Sequence, residues 1–156
     1  MKRFFYFLIL IFFALPINST LAKEVQMNLN DIPVDPLFNP GAPIGEDKYA
    51  DQQSAFITAT KGYLNGKYDI LDKRIFVYAK ASPDISPQWV VVSADIGNFF
   101  YDHDGKVINQ ELNVPGIAAI QIFKVGLIHP KYFALVMSNF LPDSNALVAY
   151  LELKKE

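Results

Sequence analysis

The chain has 156 residues, with 14 Lys+Arg against 16 Asp+Glu, two histidines and no cysteine. Disulfide scaffolds, thiol catalysis, cysteine-ligated zinc and acylation of a lipoprotein cysteine are therefore excluded. Arg74 is the sole arginine beyond Arg3, so nucleic-acid binding and polybasic attachment to a membrane surface lack the basic footprint they require.

Residues 1–22 have the three-part layout of a secretory signal peptide. Lys2 and Arg3 form a basic start, residues 4–15 are an unbroken apolar run, and Pro16 ends it. Thr20 and Ala22 put small residues at the third and first positions before a cut that leaves Lys23 as the mature N-terminus. A retained anchor needs roughly 20 apolar residues, and this run is shorter. No later apolar stretch is long enough to span a bilayer. The expectation is export through the secretory pathway, to a periplasmic or secreted destination, with no transmembrane span after cleavage.

Residues 23–45 carry Pro33, Pro36, Pro40 and Pro43. Proline fixes its own backbone and disfavours helix in the residue before it, so this stretch reads as an extended Pro-rich arm. Its apolar residues Ile32, Val34, Leu37, Phe38 and Ile44 either pack back on the parent domain or dock on a partner. Residues 46–156 have the size of a single globular domain.

Within 46–64, Tyr49, Gln53, Phe56, Ile57, Thr60 and Leu64 share one face of a 3.6-residue repeat. That spacing predicts a helix, with acidic residues near its start and Lys61 near its end. Asn65-Gly66 competes as a hairpin signal and also suits a tight turn after the helix. From Lys67 onward the character is β. Strands are expected at 74–79, 89–94, 99–101, 106–108, 117–128, 132–141 and 146–153, with Asp102-His103-Asp104-Gly105 as a tight hairpin. Residues 132–141 also carry Phe133, Val136, Met137 and Phe140 at helical spacing. The last two runs read as an antiparallel hairpin with a longer loop.

Several of these strands are apolar on both faces. In 132–141, Tyr132, Ala134, Val136 and Phe140 alternate with Phe133, Leu135, Met137 and Leu141. A sheet wet on one side alternates apolar with polar, so both faces here need cover. The helix and the arm can supply one, and a second chain is the expected cover for what remains.

The richest polar cluster is 102–105. Aligned as an EF-hand loop with Gly105 sixth, Asp102, Asp104 and Glu111 fall on the third, fifth and twelfth positions and make a candidate calcium site. Phe100 occupies the first position, where an aspartate belongs, and turn geometry explains the same residues. His103 and His129 are the only candidates for imidazole chemistry. No serine stands in a Gly-x-Ser-x-Gly elbow, and there is no phosphate-binding glycine loop and no His-Glu-x-x-His. Asp69 and Asp72 have the spacing of a solvated loop as much as of a glycosidase pair. Trp89, leading into three valines, reads as core.

The fold expected is α+β, mainly antiparallel sheet with one N-terminal helix. The alternative is an all-β sandwich in which 54–64 becomes a strand. The function expected is an exported, non-catalytic binding or assembly module of the cell envelope or extracellular space. It would act on a protein partner or a second copy through a sheet face, the Pro-rich arm, or both, with Leu37, Phe38, Tyr78 and Tyr132 as contact residues. The competing reading is a small exported hydrolase or metal-dependent enzyme centred on His103, Asp102 and Asp104.

Overall fold

The computed structural model describes residues 26–34, 49–78, 85–139, 141 and 145–156. Helix α1 (Ala50–Leu64) forms where the 3.6-residue repeat predicts it, and Phe56, Thr60 and Leu64 are its buried stripe. The Thr60 hydroxyl donates back to the Phe56 carbonyl at 2.8 Å, which satisfies it inside the core. Asn65 (φ −53°, ψ 133°) and Gly66 (φ 73°) then make a turn of type II geometry, closed by Lys67 N–H on the Leu64 carbonyl at 3.0 Å. The Asn-Gly pair therefore joins helix to strand and does not form a hairpin.

Strand β1 (Tyr68–Tyr78) follows, then helix α2 (Ile85–Tyr101) and strands β2 (Gly105–Leu112), β3 (Ala119–Val125), β4 (Lys131–Met137) and β5 (Ala146–Lys155). The five strands form one antiparallel sheet in the order β1-β5-β4-β3-β2. The architecture is α+β and mainly antiparallel, as the sequence predicts. Residues 54–64 are helical, so the all-β sandwich does not form.

The second helix is a correction. Residues 89–94 and 99–101, expected as strands, both lie within α2. Trp89, Val92, Ser93, Ile96 and Phe100 are all buried, a spacing of i, i+3, i+4, i+7 and i+11. β-Branching costs a helix only a fraction of a kcal/mol per residue, whereas burying a side chain such as Val or Phe contributes about 1.5–3 kcal/mol. The packed stripe outweighs local preference. Pro87 sits in the first turn, where a missing N–H costs little.

The 102–104 turn is correspondingly a helix-to-strand connection and not a hairpin. Asp102 N–H donates to the Asn98 carbonyl and His103 N–H to the Phe100 carbonyl, each at 3.0 Å. The left-handed residue is Asp104 (φ 58°). Gly105 is needed for a different reason: a Cβ there would lie 2.7 Å from the Phe100 carbonyl oxygen.

Both sheet faces are covered by the chain itself. On one, α2 and residues 26–34 pack Trp89, Phe100 and Leu29 against Phe123, Phe133 and Tyr150. On the other, α1 packs Phe56 and Leu64 against Ile120, Val136 and Leu147. Phe133, Leu135 and Met137 of β4 serve the first core and Ala134 and Val136 the second. The two-faced strands do need cover on both sides, but the expected second chain is not needed over β3, β4 and β5.

Part of the arm belongs to this core. Met27, Leu29 and Ile32 are buried, and Leu29–Asp31 form a short 3₁₀ turn with a capping box on Asn28, where only extended chain is expected. The Arg74 guanidinium donates to the Leu29 and Ile32 carbonyls at 3.0 and 3.1 Å. The Tyr150 hydroxyl donates to the Pro33 carbonyl at 3.0 Å and Lys131 Nζ to the Met27 carbonyl at 2.7 Å. These three donors satisfy backbone carbonyls of a segment that no sheet ladder reaches.

Candidate functional site

Among the described residues, several exposed apolar side chains lie along α2 and the neighbouring edge strand β2. α2 packs against β2, β3 and β4, and its outward positions are Val90, Val91, Ala94, Asn98 and Tyr101, all exposed. Its single charged residue is Asp95. Val90 is 62% and Tyr101 79% exposed. β2 ends the sheet, and among the described residues nothing pairs with its outer edge. Val107, Ile108 and Leu112 of this strand are exposed, with a bulge at Ile108 between Val107 and Asn109. Large exposed apolar patches mark protein or membrane contact sites or ligand-binding grooves.

The polar residues of β2 are organised on the α1 side. The Asn109 side-chain amide donates to the Tyr63 hydroxyl at 2.7 Å and lies 3.4 Å from a Glu111 carboxylate oxygen. Burial, and next the hydrogen bond to Glu111, push the Tyr63 phenol up to about 12. Glu111 is thus engaged in a side-chain network that ties β2 to α1.

Asp102 and Asp104 lie exposed on the α2–β2 turn. Among the described residues no three His, Asp or Glu side chains are grouped to hold a metal ion, so Asp102, Asp104 and Glu111 do not converge into the calcium site that the EF-hand alignment suggests. The reason is the strand that follows the turn: it carries Glu111 away where an EF-hand loop would curl it back. The His103 Nδ1–H faces the Phe99 carbonyl at 2.7 Å, and its ring packs on Phe99 at 4.4 Å. His129 is exposed on the β3–β4 connection, at the same end of the sheet, where Gly126 N–H reaches the Asp104 carbonyl at 3.4 Å.

No family model, curated protein or solved structure matches the chain. Function is therefore read from the surface alone. Of the four expected contact residues, Leu37 and Phe38 lie outside the described residues. Tyr78 is only 8% exposed and belongs to the α2-side core, so it offers little surface. Tyr132 is half-buried against Tyr68, ring centroids 5.5 Å apart. It lines an open groove of about 330 Å³ with Leu71, Lys131 and Glu152. Trp89 is buried, as expected of core. The outward residues of α2 and β2 were not among those singled out from the sequence. Reading 89–101 with a helical period would have placed Val90, Val91, Ala94 and Tyr101 opposite the buried stripe.

Proposed function

We propose that this chain is an exported, non-catalytic binding or assembly module of the cell envelope or extracellular space, whose partner is a protein. The signal-like layout of residues 1–22 supports export. The observation that carries the binding role is the exposure of Val90, Val91 and Tyr101 on α2 and of Val107, Ile108 and Leu112 on β2, two elements that pack against each other. Because both sheet faces are enclosed, the contact runs through this edge of the fold and not through a sheet face.

Site-specific photo-crosslinking in the producing cells tests the reading. A crosslinker at Val91 or Leu112 is expected to give discrete adducts, while one at Asp51 or Thr58, exposed on α1, gives none. Adducts independent of position, or absent at every position, would overturn it. The same samples report export: the mature chain should begin at Lys23, and a full-length chain retained in the membrane would contradict cleavage.

A further inference from the structure

The outer edge of β2 is self-complementary, and we infer that its occupant is a second copy of this chain, paired antiparallel through β2 about a two-fold axis. This rests on the binding-module reading and names its partner.

Three observations carry it. The first is charge. β2 reads Gly-Lys-Val-Ile-Asn-Gln-Glu-Leu, and Lys106 and Glu111 are its only charged residues. An antiparallel pair of fully overlapped β2 strands is centred between Ile108 and Asn109. In that register Lys106 of each copy lies opposite Glu111 of the other, giving two cross-strand ion pairs. The two side chains also share a face. Lys106 pairs with Lys124 and Glu111 with Ile120 in β3, two positions on the α1 side of the sheet. Residues directly opposite across an antiparallel pair point to the same face, so the geometry of the strand matches the charge pattern. Shifting the strands by one residue puts Lys106 opposite Gln110 or Leu112 and loses both pairs.

The second observation is the contrast between the two sheet edges. β1 carries the exposed charges Asp69, Asp72 and Lys73 close together over residues 69–73, a cluster of the kind that discourages edge pairing. β2 has one charge near each end and exposes Val107, Ile108 and Leu112. The third is area. A stable dimer buries about 800 Å² per partner, more than two short strands supply. α2 packs on this same edge strand and its one charged residue is Asp95, so the remaining area is assigned to α2 beside the paired strands. Closed two-fold pairing also caps the edge, which an open head-to-tail contact would leave free.

Light scattering on the mature chain, residues 23–156, provides the test. The wild-type chain is expected to be a dimer. Lys106→Glu and Glu111→Lys each place like charges opposite one another twice, and each is expected to weaken the dimer about tenfold. The double variant Lys106→Glu/Glu111→Lys restores the pairs with the signs exchanged and recovers wild-type association. An equimolar mixture of the two single variants pairs one with the other. Glu111→Lys also removes a partner of Asn109, but so does the double variant, so its recovery reports charge pairing alone. As a second measurement, Ile108→Cys, in a chain with no other cysteine, forms an intermolecular disulfide on mild oxidation, and Asp51→Cys does not. A monomeric wild-type chain, reversals without effect, or a double variant as weak as the singles would overturn the inference. If α2 and β2 still crosslink to a different protein while the chain is monomeric, the binding-module reading stands and the second copy is excluded.

Discussion

Single residues lock the pieces of this fold together, and their costs are separable. Gly116 has φ 82°, and a Cβ on it would lie 2.7 Å from the Ala59 Cβ, so α1 touches the β2–β3 turn where only glycine fits. Gly66 has a similar φ of 73° and open space around it. Gly66→Ala is therefore expected to cost about 1 kcal/mol, the backbone penalty alone, and Gly116→Ala about 3 kcal/mol, because a clash is added. Denaturant unfolding measures both. Ala59→Gly combined with Gly116→Ala should recover part of the difference, as expected for coupled neighbours.

Tyr63 supplies a second test at this scale. Its pKa is raised from 10.0 to about 12, first by burial and then by Glu111. The folded state thus holds the proton more tightly than the unfolded chain does. The resulting stabilisation is present below pH 10 and is lost as pH rises through 12. The absorbance difference between wild type and Tyr63→Phe should contain a phenol that titrates late. In a Glu111→Gln background that component should move down towards the ordinary tyrosine value.

At the scale of elements, α1 was legible in the sequence and α2 was not, and the reason is physical. In α1 the periodic residues are mixed with Gln, Thr, Ala and Lys, so the repeat stands out. In α2 the run Trp-Val-Val-Val-Ser-Ala-Asp-Ile-Gly-Asn-Phe-Phe-Tyr is apolar nearly all round, and its β-branched and aromatic content imitates a strand. What decides between them is which residues find partners. Phe100 stacks on Phe123 at 4.1 Å and leans on Phe133 at 5.4 Å, contacts that no local propensity records. Phe100→Ala is expected to cost about 3–5 kcal/mol. Val91→Asp, on the outward side of the same helix, should stay within about 0.5 kcal/mol while abolishing adducts from a crosslinker at Leu112. Equal destabilisation by both would contradict the helical orientation. The same strand-like composition hides the outward surface of α2: read as a strand, the segment gives Val90 and Val91 no common outward face.

For the molecule as a whole, the alternation of large apolar residues along β4 and β5 correctly demanded two covered faces. It could not say what covers them, because cover depends on long-range packing. One cover is α1, which the helical repeat exposes. The other combines α2 with residues 26–34, which dock through Arg74, Tyr150 and Lys131, and only the arm's share of it was visible. Once both helices are placed, the open part of the fold is an edge, and the metal and histidine candidates lie dispersed on exposed turns and strands.

Residue-resolved hydrogen exchange of residues 23–156, followed as protein concentration is raised, bears most directly on this arrangement. Amides of β4 and β5 should be slow at every concentration, and the outer-edge amides of β2 should become protected only as concentration increases, with those of β1 unchanged. β4 and β5 amides that open on dilution, or a β2 edge that exchanges freely at all concentrations, would contradict an enclosed sheet with one edge that pairs.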